Sequence, residues 1–317
     1  MIKTRLVKLL SHTKKYIAQM VLWQWIALLG QITAIFSIGR MVDCILMHQM
    51  SDQVILTTFM ILVVAVAIRF LCDQMATRAS FAASVDVKRI LREKIYDKLL
   101  RLGASYREHV STSEVVQMST EGVEQLEIYF GKYLPQLFYS ILAPVTLFII
   151  LSFISLKASA VLLICVPLIP ISIVAVQKLA KKLLNKYWGL YTTLGDSFLE
   201  NLQGMTTLKI YQADEMKAVE MDEEAQNFRK ITMKVLTMQL NSTSVMDIIA
   251  YGGAAVGMIT AIHQYIAGNI TLGGTLIILL LASEFFIPLR LLGSFFHIAM
   301  NGMAASDKIF GLLDLKE

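Results

Sequence analysis

Long stretches without charge divide this chain into segments that could cross a membrane. No Asp, Glu, Lys or Arg lies between Lys15 and Arg40, between Lys132 and Lys157, or between Lys157 and Lys178. A transmembrane helix needs about 20 mostly apolar residues, so this pattern predicts spanning helices. The six predicted spans are Tyr16–Ile38, Val54–Met75, Leu134–Ile154, Ala158–Val176, Met246–Ile266 and Leu272–Leu292.

Two long segments between the spans, about Ala76–Tyr133 and Gln177–Val245, are more polar but keep a helical period. Between Val85 and Leu102, apolar residues recur every three or four positions with charges between them. We therefore expect spans two to five to continue as helices of ~35–50 residues, ~50–75 Å long, that leave the bilayer. The loops at the opposite ends of the spans are short.

The distribution of basic residues predicts the orientation of the bundle. Lysine and arginine accumulate on the cytoplasmic side of bacterial and other membrane proteins. The clusters here are Lys3, Arg5, Lys8, Lys14 and Lys15 before span one, Lys88, Arg89, Arg92, Lys94, Lys98 and Arg101 after span two, and Lys178, Lys181, Lys182 and Lys186 after span four. Both termini and both long segments are therefore expected in the cytoplasm.

Composition agrees with an all-α membrane protein and excludes several other classes. Of 317 residues, 56% are hydrophobic and 17% are charged, and the mean hydropathy is +0.61. A soluble domain carries about 25% charged residues. Three cysteines make no disulfide framework. The net charge of +5 is explained by basic residues beside the spans, so it does not indicate nucleic-acid binding.

Two interruptions in the long polar segments could be contact points for a partner. One is His109–Gly122, which is rich in Ser and Thr. The other is Leu194–Gly204, where the run from Asp196 through Phe198, Leu199 and Glu200 fits a helix of about two turns that Gly204 ends. The alternative is that both are simple turns between antiparallel helices.

Charged residues inside the spans are candidate functional residues, because a charge in the bilayer usually faces protein or water. Arg69 and Glu284 fall at similar depths with opposite signs, which predicts an ion pair between their helices. Two alternatives remain open: an i,i+4 pair of Arg69 with Asp73, and direct contact with a substrate.

Polar residues also form stripes on the last two spans. Ser244, Asp247 and Tyr251 share one helix face of span five, and a second stripe follows span six to the inner mouth, where Arg78 also lies. Arginine and histidine here would suit an anionic or metal-bearing substrate. In the alternative, the arginines reach lipid phosphates and the histidine caps a carbonyl. The candidate substrate-pathway residues are Arg78, Arg290, His297, Asp247 and Asn301.

Catalytic and metal sites are not predicted. The sequence contains no Gly-x4-Gly-Lys-Ser/Thr phosphate loop, so these residues alone cannot hydrolyse ATP. The acidic residues within spans are isolated on different helices. The three cysteines and 17 methionines lack metal-ligand spacing and are expected to fill apolar space.

Several strings in order resemble the transmembrane domain of an ABC exporter half-transporter, and more narrowly the CydD-type subunit of CydDC transporters. They are Glu121-Gly122-Val123-Glu124-Gln125-Leu126-Glu127, Lys132-Tyr133-Leu134-Pro135-Gln136, Pro167-Leu168-Ile169-Pro170, the run from Phe198 to Lys209, Glu284-Phe285-Phe286-Ile287-Pro288-Leu289-Arg290, and His297 followed by Ala304-Ala305-Ser306. The resemblance covers roughly Val85 to the C-terminus.

The resemblance implies one ABC type-1 exporter transmembrane domain over residues 1–317, in a bacterial inner membrane. Its nucleotide-binding domain, which binds ATP and Mg²⁺, is expected outside these residues, either in a longer protein or on another chain. The implied partners are nucleotide-binding domains and a second, CydC-like half-transporter in a heterodimer. The coupling helices that touch the ATPase would include Ser113, Glu114, Glu121, Phe198, Leu199 and Glu200.

The resemblance also implies a cargo. CydDC-type transporters are associated with export of cysteine and glutathione and with haem handling in cytochrome assembly. Haem is thus a possible cargo or ligand near Arg78 and His297. Ala82 stands where some relatives have a second histidine, so ligation of haem by two histidines of this chain is not expected. The alternative is an exporter of lipid, drug or peptide.

Overall fold

The computed structural model describes residues 14–315, except for the side chains of residues 104, 176–180 and 297–298. Every regular element within the described residues is helical. In chain order they are α1 Lys14–Leu46, α2 Asp52–Leu102, α3 Thr112–Ser152, α4 Leu156–Cys165, α5 Leu168–Gln203, α6 Met205–Ile210, α7 Asp214–Ile266, α8 Leu272–Ala282 and α9 Ile287–Leu313. A single 3₁₀ turn, Ser283–Phe285, joins α8 to α9.

The six predicted spans are confirmed. Among the described residues, six helical segments are long and apolar enough to cross a membrane, and each contains one predicted span or nearly all of it. Their bounds are Lys14–Leu46, Asp52–Leu102, Thr112–Ser152, Leu156–Ala175, Asp214–Ile266 and Leu272–Phe296. The predicted helical extensions are also present, since α2 has 51 residues and α7 has 53, which gives each a length of about 75–80 Å.

The two ends of the bundle differ. At one end the connections between helices are only a few residues long, at 47–51, 153–155 and 267–271. At the other end α2, α3, α5 and α7 project past the apolar segments and meet at 103–111 and 204–213. We call this second end the extended end.

Side-chain caps hold the short connections in place. Ser51, Ser155 and Thr271 each accept a hydrogen bond from the first turn of the helix that follows. Asp43 of α1 accepts two more from the start of α8, one from the Thr271 hydroxyl at 2.8 Å and one from the Gly273 amide at 2.7 Å. The positive end of the α8 dipole thus meets a carboxylate, which fixes α8 against α1.

The core lies where α3 packs on α9. The largest fully buried side chains include Tyr129, Phe130, Tyr133 and Phe296, whose rings stack on or tilt against one another. Two π-helical turns, Met118–Gly122 and Tyr129–Tyr133, adjust the register of α3 along this seam. A Cβ on Gly302 of α9 would lie 2.8 Å from the Gln125 carbonyl oxygen, so the two backbones nearly touch there.

The predicted short helix at Leu194–Gly204 is wrong. Helix α5 runs unbroken from Leu168 to Gln203, so Phe198, Leu199 and Glu200 lie in its last two turns. Asp196 lies inside α5 and therefore caps no helix. Its carboxylate accepts a hydrogen bond from Ser113 of α3. The helix is interrupted at Gly204 and again at 211–213, on either side of α6, and Gln212 has a φ of +53°.

The other predicted interruption is partly right. The chain leaves α2 at Gly103, which has a φ of +57°, and passes through a 3₁₀ segment, Gly103–Glu108. The chain is helical again from Thr112, because the Ser111 hydroxyl caps the helix by accepting a hydrogen bond from the Glu114 backbone amide at 3.2 Å. The break therefore lies before Thr112, and most of the predicted interruption is the first part of α3.

Candidate functional site

The predicted partners Arg69 and Glu284 are joined through a third residue. Gln31 of α1 accepts a hydrogen bond from Arg69 Nη1 at 3.1 Å and donates one from Nε2 to Glu284 Oε1 at 2.8 Å. The two charges thus belong to one network across α1, α2 and the 3₁₀ turn that interrupts span six. An amide serves as the bridge because it can accept from the cation and donate to the anion.

This network has a polar neighbour on α3. The hydroxyl of Tyr139 lies within electrostatic range of Glu284, Arg69 and Asp73. Glu284 is half-buried, whereas Arg69 and Asp73 are exposed on the surface of α2. Four helical segments therefore contribute polar groups to one region of an otherwise apolar bundle.

The polar stripes of spans five and six meet in a second ion pair. Arg290 Nη1 of α9 lies 3.2 Å from Asp247 Oδ1 of α7, and its guanidinium lies 6.0 Å from the centre of the Tyr251 ring. The pair is only partly covered, with side-chain exposures of 35% and 33%. The buried Arg290 Nε has no hydrogen-bond partner among the described residues. This buried nitrogen is therefore an unsatisfied donor in the present conformation.

The remaining residues of the predicted pathway are Arg78, Asn301 and His297. Arg78 is exposed on α2. Asn301 is half-buried on α9, and within the described part of the chain its buried Oδ1 has no hydrogen-bond partner. The backbone of His297 is helical, but its side chain lies outside the described residues, so the structure gives no position for the predicted imidazole.

At the extended end, the first turns of α3 bind α5 through side chains. The Ser113 hydroxyl donates to the Asp196 carboxylate. One turn later, Gln117 donates to the Tyr191 carbonyl oxygen and accepts from the Thr192 hydroxyl, each at 3.3 Å. A Cβ on Gly195 would lie 2.7 Å from Gln117 Nε2, so this glycine provides room for the contact.

Lys308, near the C-terminal end of α9, joins α9 to this contact between α3 and α5. Its Nζ lies 2.8 Å from Glu114 Oε1 of α3 and 3.3 Å from Thr192 Oγ1 of α5. The Tyr191 hydroxyl donates a hydrogen bond to the Glu121 carboxylate, and burial together with that hydrogen bond raises the pKa of Tyr191 to about 12. Three helices are thereby joined by one polar cluster, which we call the α3–α5–α9 junction.

The tip of the α5–α7 hairpin is apolar and exposed. Short helix α6 forms it, and Lys209 pairs with Asp214 beside the turn. Five large apolar side chains there are more than half exposed: Phe198, Leu202, Met205, Ile210 and Tyr211. Such a patch in water is typical of a surface that a protein partner covers.

A family comparison decides the identity of this bundle. The family described as "ABC transporter transmembrane region" matches residues 20–289. This chain belongs to that family. Its fold is the all-α type-1 exporter fold, and it is a multi-pass membrane protein.

Curated proteins resemble this chain in sequence over most of its length. A Haemophilus influenzae protein named "Uncharacterized ABC transporter ATP-binding protein" is 56% identical over 92% of this chain and 52% of its own length. The CydD subunit of a glutathione/L-cysteine transport system of Escherichia coli is 24% identical over 89% of this chain and 50% of its own length. A Legionella pneumophila lipid A-core flippase is 21% identical over 81% and 44%. This ABC chain spans about half the length of the curated relatives it matches.

Several residues of these networks were not predicted from the sequence. Gln31 is uncharged and belongs to neither polar stripe, so neither pattern pointed to it. Lys308, Gln117 and Thr192 lie on polar extensions, where such side chains usually face solvent. A signal was available for Gln31, because glutamine within an apolar span is itself costly and so points to a partner.

Proposed function

We propose that this chain is the membrane-spanning half of an ATP-driven exporter that moves a small cysteine- or glutathione-type thiol, or haem, out of the cytoplasm in support of cytochrome assembly. The observation that carries the cargo class is the partly exposed pair of Arg290 and Asp247. Cysteine and glutathione carry both carboxylate and ammonium groups. A pair that is one-third exposed can exchange its internal contact for one of each with such a zwitterion.

The geometry of Arg290 supports this exchange. Its side chain is about one-third exposed, so a cargo carboxylate can reach the guanidinium and replace Asp247 as its partner. The Arg69–Gln31–Glu284 network repeats the arrangement of a cation and an anion in another part of the bundle. Haem propionates would use the same guanidinium groups. Arg78, His297 and Asn301 complete the proposed pathway.

Motion would reach this pathway from the extended end. Thr112–Gln117, with Ser113 and Glu114, is the proposed first coupling helix, and the α3–α5–α9 junction with Glu121 ties it to the bundle. The second contact is α6 together with the exposed last turns of α5, which contain Phe198, Leu199 and Glu200. Nucleotide-binding domains that bind ATP and Mg²⁺ would contact both the first coupling helix and this second surface.

We further propose a CydC-like half-transporter as the partner in a heterodimer in the bacterial inner membrane, with both termini in the cytoplasm. The relatives named as CydC and CydD subunits, at 24–26% identity, support this choice. A second candidate is lipid export, which the lipid A-core flippase relatives favour. The charged pairs within the bundle fit the zwitterion better than an acyl chain.

Transport into inverted membrane vesicles tests the cargo. With the complete transporter, Arg290→Gln and Asp247→Asn should each lower ATP-dependent uptake of labelled glutathione or cysteine at least about tenfold, which is about 1.4 kcal/mol of lost interaction. Lys157→Gln, an exposed change at the short-loop end, is the control and should keep wild-type uptake. Uptake of haem alone would select the other cargo. Lipid movement without uptake of thiol or haem would contradict the proposal.

A further inference from the structure

An open cavity of about 810 Å³ lies between α5 and α7, and no residue of the two charged networks is among its described lining residues. It begins at the inner end of span four and continues into the extended part of the hairpin. Its lining residues, listed along the two helices, are Ser172, Ala175, Lys182, Leu183, Lys186, Met233, Lys234, Thr237, Met238, Asn241, Ser242 and Val245.

The lining combines apolar walls with three charged residues, all of them lysines. Lys182 and Lys186 lie one turn apart on α5, and Lys234 faces them from α7. None of the twelve described lining residues is acidic, so the cavity itself offers these ammonium groups no counter-ion. The side chains of Leu183, Met238 and others supply the apolar remainder. This is the composition that receives an anionic group on a hydrophobic body.

A buried hydroxyl in the wall lacks a partner. Ser242 is 5% exposed, and its Oγ makes no hydrogen bond within the described part of the chain. Its neighbours Thr237, Thr243 and Ser244 each donate to the carbonyl oxygen four residues earlier. Because a buried hydroxyl without a partner costs free energy, the Ser242 hydroxyl is a candidate to bind a ligand oxygen in this cavity.

The level of the cavity relative to the membrane indicates the ligand. Ala175 ends the apolar part of span four, and Lys182 lies about 10 Å further along the helix, so its long side chain can reach back to lipid headgroups at the end of the span. We propose that the cavity binds the phosphate headgroup of an anionic phospholipid from the leaflet at the extended end. The lysines and Ser242 contact the phosphate, and the apolar wall contacts an acyl chain.

Lipid binding to the purified complete transporter, followed by native mass spectrometry, tests the site. Phosphatidylglycerol and cardiolipin should bind the wild type, and the double variant Lys182→Gln/Lys234→Gln should bind them about tenfold more weakly. Lys181→Gln/Lys230→Gln is the matched control, with the same charge removed from the same helices outside the cavity, and should bind as the wild type does. Ser242→Ala should weaken binding about threefold without loss of thermal stability.

Three results would overturn the proposal. They are equal binding by the double variant and its control, equally tight binding of phosphatidylcholine, and displacement of the lipid by excess inorganic phosphate, which would assign the cavity to a soluble anion. The assay requires neither ATP nor cargo. Its outcome is therefore separate from that of the transport experiment.

Discussion

Replacing Lys308 with glutamine should abolish most of the stimulation of ATP hydrolysis by cargo. Its ammonium group lies 2.8 Å from Glu114 of α3 and 3.3 Å from Thr192 of α5, so one side chain holds the proposed first coupling helix to two others. The pair is mostly covered, with side-chain exposures of 30% and 25%, and its loss leaves a largely buried carboxylate unpaired. We expect a cost of about 1–3 kcal/mol at the junction. The measurement is ATPase activity of the reconstituted complete transporter with and without cargo.

A surface arginine on α7 provides the control for Lys308. Arg229 donates a hydrogen bond to Gln226 one turn away at 2.8 Å, and both side chains are exposed. Loss of one exposed hydrogen bond costs little free energy, so Arg229→Gln should leave the stimulation unchanged. Glu114→Gln should reproduce the defect, and combining it with Lys308→Gln should add little. Equal stimulation in Lys308→Gln and the wild type would exclude the junction from coupling.

Replacing Gln31 with leucine should destabilise the membrane bundle by about 3 kcal/mol. The change removes two hydrogen bonds to charged groups, the one from Arg69 at 3.1 Å and the one to Glu284 at 2.8 Å. Hydrogen bonds of this type contribute about 1.5–3 kcal/mol each, but Arg69 is exposed and so contributes less. The free energy of unfolding in mixed micelles is the measurement.

Gln24 provides a matched control on the same helix. It lies two turns before Gln31, is also half-buried, and its Oε1 has no hydrogen-bond partner among the described residues. Gln24→Leu removes an unsatisfied polar atom, so it should be neutral or stabilising. If both variants lose the same free energy of unfolding, the bridge between Arg69 and Glu284 is not what stabilises this region.

The spans were predictable because the membrane imposes one requirement on long stretches of sequence. A helix in lipid must be apolar for about 20 residues, and charge-free gaps reveal this directly. The extensions of α2 and α7 were predictable for a related reason, since helical periodicity continues past the apolar part without a turn signal. The ends of the helices depend on single side chains, which a periodic pattern does not reveal.

The misplaced short helix shows why. Gly195 and Asp196 resemble a helix start in the sequence, because glycine and aspartate often lie at breaks. In the structure the glycine makes room for Gln117, and the aspartate accepts a hydrogen bond from Ser113. Both residues serve contacts with α3, which is about 80 positions away and is invisible to a local pattern.

The candidate site was predicted where charge made residues conspicuous. Arg69, Glu284, Arg290 and Asp247 were singled out because charges are rare in spans, and the structure brings each pair into one network. The bridge through Gln31 depends on three-dimensional packing between distant helices. Pairwise matching of opposite charges along the sequence cannot specify it.

Site-specific photo-crosslinking from the extended end tests the central claim most directly. A crosslinking residue at Val116, 53% exposed beside the start of α3, or at Tyr211, 77% exposed beside α6, should capture a nucleotide-binding domain in the complete transporter. The same residue at Leu240, 68% exposed in the middle of α7, should not. Capture at Val116 and Tyr211 but not at Leu240 is the predicted result, and failure at both tips would contradict the transmission of ATP-driven motion through these helices.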